Sequence, residues 1–111
     1  MKKKLPVENM DNWTNESLDQ ELGKLLGDTE LINYSASWAL LMPVSIKYGA
    51  FVTPMAWEDS PKKYRAVHIA LDNNGCMTGY GGRYESDDND PARCLIMTLI
   101  KILKKNGSYS Q

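Results

Sequence analysis

Apolar residues in the first third of the chain recur at every third or fourth position, which is the spacing of one face of an α-helix. In the segment "TNESLDQELGKLLG" these residues are Leu18, Leu22, Leu25 and Leu26. Thr14 or Asn15 can cap the start of this helix, and Gly27 can end it. The pattern therefore predicts an amphipathic helix after a polar N-terminal arm of residues 1–12.

A second helix is predicted in "SASWALLMPVSIKYG", where Trp38, Leu41, Met42 and Ile46 recur at helical spacing. Ser35 is the expected cap. Pro43 lies in the middle of the segment, where proline removes a hydrogen bond and clashes with the preceding turn. We therefore expect a kink or two short helical pieces.

The apolar spacing then changes to the alternation that is typical of strands. "AFVTPMAW" predicts a first strand, and Pro54 favours the edge of a sheet. In "YRAVHIALD", Val67 and Ile69 share one face, while Ala66 and His68 share the other, and the small alanine indicates close packing there. An "NNG" turn leads to a third strand, "CMTGYGGRYES", whose glycines indicate a bulge or strong twist.

The last predicted helix, from about Pro91 to Lys105, is apolar around more than one face. Such a helix is either central in the fold or also buried at a subunit interface, and we expect a homo-oligomer, a dimer or higher. The element order predicts one α+β domain over residues 13–106, in which a small antiparallel sheet is sandwiched between helices in the order α-α-β-β-β-α. Residues 107–111 form a predicted C-terminal tail.

Length and charge limit the possible functions of the chain. Its 111 residues form one domain, and its net charge of −1 provides no field that would attract nucleic acid. "MKKKLPVENM" lacks the apolar stretch of a signal peptide, and no apolar run is long enough to span a bilayer. Two cysteines without ligand spacing suit a reducing compartment. We expect a cytoplasmic protein with no nucleic-acid or membrane partner.

The residues that could support catalysis or bind a metal form weak patterns. His68 is the only histidine and lies mid-strand beside no obvious nucleophile. The acidic segment "ESDDND" lacks the spacing of a calcium loop, and "TGYGGR" matches neither of the glycine-rich phosphate motifs. We predict no catalytic residue, no metal and no cofactor.

Arg93 is the more informative residue, because it lies in the first turn of the last helix, where the helix dipole disfavours a cation. Two explanations are open. Arg93 forms a salt bridge to Asp87, Asp88 or Glu85, or it binds an anion together with the N–H groups of the helix start.

A nucleotide ligand would need aromatic side chains for its base and arginines for its phosphates. The candidate ligand-binding residues of these types are Arg93, Arg65, Arg83, Trp57, Tyr80 and Tyr84. The alternative is a protein that inhibits a host protein by surface contact, through Met10, Trp13 and the exposed side of the last helix. A hydrolase is the least consistent reading, because only one histidine and no metal spacing are present.

Three segments resemble the phage α-β-α sandwich domain family of NinX-like phage and prophage proteins: the tryptophan-bearing second helix, the strand block, and "DNDPARCLIMTLIKIL". The proline stands closer to Arg93 than in the commonest family pattern, and Cys94 replaces the usual alanine. The resemblance implies an α-β-α sandwich. It also suggests kinship with phage anti-Thoeris sponge proteins, which sequester a cyclic ADP-ribose-like immune signal in the host cytoplasm without cleaving it and which form oligomers.

Overall fold

The structure is a computed structural model. It describes the backbone of residues 10, 12–55, 62–71, 74 and 77–109, and their side chains except at 70–71, 77–84 and 105–109. The elements are α1 (Asn15–Leu26), a 3₁₀ turn (Tyr34–Ala36), α2 (Trp38–Tyr48), β1 (Ala50–Pro54), β2 (Tyr64–Leu71), β3 (Met77–Asp88) and α3 (Pro91–Tyr109). The predicted α+β class and the order α-α-β-β-β-α are confirmed.

Both predicted ends of α1 are confirmed by their hydrogen bonds. The Thr14 hydroxyl accepts the Ser17 N–H at 3.0 Å, which satisfies one of the free donors of the first turn. Gly27 adopts a left-handed φ of 85° at the other end, and its N–H donates to the last carbonyls of the helix.

Helix α2 begins two residues later than predicted. Its cap is Ser37, whose hydroxyl accepts the Leu40 N–H at 3.3 Å. The expected cap, Ser35, is wrong because its N–H and hydroxyl donate to the buried Asp19 carboxylate instead, at 2.9 and 2.7 Å. The helix continues through Pro43, so the alternative of two separate pieces is also wrong.

The three strands form an antiparallel sheet in the order β1-β2-β3, so β1, with Pro54 at its end, is an edge strand as predicted. The predicted bulge in the glycine-rich strand is also confirmed. Val67 lies opposite Glu85 and Ile69 lies opposite Tyr80, so two steps along β2 correspond to five along β3. The extra residues leave the regular ladder in the "GGRY" segment.

The core lies between α3 and the face of the sheet that carries Ala66. Ala66 is fully buried, and its carbonyl accepts the Thr98 hydroxyl of α3 at 3.3 Å. The Cys94 thiol of α3 contacts the Ser86 carbonyl at 2.9 Å. The small side chain at position 66 therefore allows the close approach of α3 that the sequence predicts.

The first two helices lie on the same side of the sheet as α3. Helix α1 packs against α3, and α2 packs against α3 and β1. This differs from the expectation that the earlier helices would cover the opposite face, which carries Val67 and the Arg65–Asp87 pair. The reason is that α3 is apolar enough to contact the sheet with one side and α1 with another.

Helix α3 is therefore the centre of the fold, which is the first of the two predicted explanations for its apolar surface. Each residue from Cys94 to Ile100 is at most 1% exposed within the single chain. This removes the reason to place a subunit interface on α3. The helix also extends to Tyr109, beyond its predicted end at Lys105.

Candidate functional site

The start of α3 is held by two acidic side chains. The Asp90 carboxylate accepts the N–H groups of Ala92 and Arg93 at 2.9 and 3.4 Å, which makes Asp90 the helix cap. The Asp88 carboxylate accepts the Asp90 N–H at 2.9 Å. Negative charge thus already lies at the positive end of the helix dipole.

Arg93 connects this helix start to two other elements. Its Nε lies 3.4 Å from Asp88 Oδ2 at the end of β3, and its Nη1 donates to Asn15 Oδ1 of α1 at 2.6 Å. The side chains of Arg93 and Asp88 are 14% and 12% exposed. The salt-bridge explanation is the one observed, with Asp88 as a partner.

Arg65 forms a second ion pair on the other side of the sheet. Its Nε and Nη2 donate to the two carboxylate oxygens of Asp87, at 2.7 and 3.0 Å. Arg65 and Asp87 are register partners on β2 and β3. Because neighbouring strand residues point to opposite faces, Asp87 and Asp88 hold their arginines on opposite sides of the sheet. The structure does not bring Arg65 and Arg93 into one site.

The remaining predicted ligand-binding residues stay predictions. Trp57 lies outside the described residues. The backbone of Tyr80, Arg83 and Tyr84 belongs to β3, and the last two fall within the bulge. Their side chains lie outside the part of the chain that the structure describes.

Among the described residues, Cys94 and His68 have side chains with possible catalytic chemistry, and both are in environments that favour their neutral forms. Burial raises the pKa of the Cys94 thiol to about 12, so the nucleophilic thiolate is disfavoured. Burial lowers the pKa of His68. Among the described residues, no group of three or more histidine, cysteine, aspartate or glutamate side chains could hold a metal ion.

Most of the large apolar side chains that are exposed in the described part of the chain lie on α2. Trp38, Met42 and Ile46 are 44%, 37% and 56% exposed. They stand four residues apart, so at about 100° per residue they lie along one side of the helix. We call these three residues the α2 stripe. Leu40, also 47% exposed, lies on a different side of the helix.

The sequence predicted this surface only in part. Trp38, Leu41, Met42 and Ile46 recur at the spacing typical of one apolar face of a helix, but only Leu41 is buried. The available signal was that Ser45 and Lys47 are the only non-aromatic polar residues in α2, which indicates a helix that is apolar on all sides. Met10 and Trp13 show the reverse case, because they are predicted to contact a partner but are buried. These expected contact residues are 2% and 8% exposed and belong to the core.

Comparisons with models of protein families, with curated proteins and with solved structures find no match for this chain. The resemblance to the phage sandwich family therefore stays a prediction. None of the helices in the described part of the chain is long and apolar enough to cross a membrane. The described residues form a small α+β domain with a central helix, α3, and a second apolar helix, α2, that packs against α3 and β1 with one side and exposes another.

Proposed function

We propose that the protein acts without catalysis, by docking the α2 stripe on another protein surface. The observation that carries this proposal is the exposure of Trp38, Met42 and Ile46 on one side of a single helix. An exposed apolar patch of a few hundred Å² is typical of an interaction site. A helix that is apolar on all sides is normally buried on all sides, and α2 buries only one within the chain.

The size of the patch indicates what the partner must supply. The exposed fractions of Trp38, Met42 and Ile46 amount to an apolar patch on the order of 300 Å², which contributes roughly 7 kcal/mol at about 25 cal/mol per Å². Association costs about 4–15 kcal/mol in lost translational and rotational entropy, so the burial of this patch alone roughly cancels that cost. The partner therefore contributes apolar surface of its own.

Protein contact is better supported than sequestration of a cyclic nucleotide signal. Arg65 and Arg93 each hold a carboxylate, so a phosphate would have to displace Asp87 or Asp88. The nucleotide function remains a prediction, as does the location in a host bacterial cytoplasm that the family resemblance implies.

Photo-crosslinking in bacterial cells tests this function. A photo-reactive amino acid placed at position 46 should give protein adducts, because this position is 56% exposed on the α2 stripe. The same amino acid at position 20, an exposed site on α1, is the matched control and should give few. Equal yields from the two positions, or no adduct from position 46, would refute the docking function.

A further inference from the structure

We draw no further inference here: the strongest candidate, the face of the sheet that carries Val67 and the Arg65–Asp87 ion pair on the side opposite α1, α2 and α3, carries nothing, because nothing in the structure shows what covers it.

Discussion

Arg93→Ala should destabilise the protein, because Arg93 is part of the structure at the start of α3. The substitution removes the ion pair with Asp88 at 3.4 Å and the hydrogen bond to Asn15 at 2.6 Å. It leaves the Asp88 carboxylate, 12% exposed, without this cation. The N–H of Asp90 continues to donate to that carboxylate.

The size of the effect follows from the burial of the pair. Breaking a fully buried pair costs about 3–5 kcal/mol, and an exposed pair contributes about 0.2–1 kcal/mol. The Arg93–Asp88 pair lies between these limits. Removing the cation from the positive end of the helix dipole stabilises the folded protein by about 0.3–1 kcal/mol, which offsets part of this loss. We therefore expect a net loss of about 2 kcal/mol, or a fall in Tm of roughly 8 °C for a domain of this size.

Urea denaturation of a double-mutant cycle provides the measurement. Arg93→Ala, Asp88→Asn and the double variant should give a coupling energy of about 1–3 kcal/mol. The matched cycle of Arg65→Ala and Asp87→Asn concerns a pair that is 33% exposed, so its coupling should be about 1 kcal/mol or less.

The competing explanation, a phosphate clamp, predicts a different result. An Arg93→Ala variant as stable as the wild type would refute the structural role. Titration calorimetry with cyclic ADP-ribose-type nucleotides would then test whether Arg93 binds a ligand. A nucleotide that binds the wild-type chain and loses 10- to 150-fold in affinity with Arg93→Ala would favour sequestration, as for a lost charge-assisted hydrogen bond.

Gly49→Ala should destabilise by more than about 2 kcal/mol, since φ is 73° and the new Cβ would lie 2.5 Å from the Ile69 carbonyl oxygen. Gly27→Ala, with φ 85° and open space around it, should lose only about 1 kcal/mol in the same urea titration; equal losses would contradict the clash. Because burial lowers the pKa of His68 in the folded chain below its ordinary 6.5, its contribution to stability is present above pH 6.5 and is lost as pH falls below it. His68→Gln should reduce the loss of stability between pH 8 and pH 5, and an unchanged pH dependence would exclude His68 as its source.

The sequence by itself determined the local features of this protein. The sequence limits the cap of α1 to Thr14 or Asn15, ends that helix at Gly27, and favours a sheet edge for Pro54, and the structure agrees with all three. The glycine-rich strand carries its bulge. Each of these features depends on the backbone sterics or the hydrogen-bonding groups of a few neighbouring residues, so the chain specifies them at short range.

Only the tertiary structure decided which surfaces meet and which charges pair. The spacing of apolar residues shows that α2 and α3 are apolar on several sides. It does not show which of those sides is buried in the fold. For α2 this depends on the surface that α3, β1 and the 3₁₀ turn offer, so Leu41 is buried and Met42 is not. Likewise, the sequence left three acids as partners for Arg93, and the alternation of side chains along β3 assigned Asp87 to Arg65 and Asp88 to Arg93. Burial and pairing are set by contacts between distant segments, and these exist only once the chain has folded.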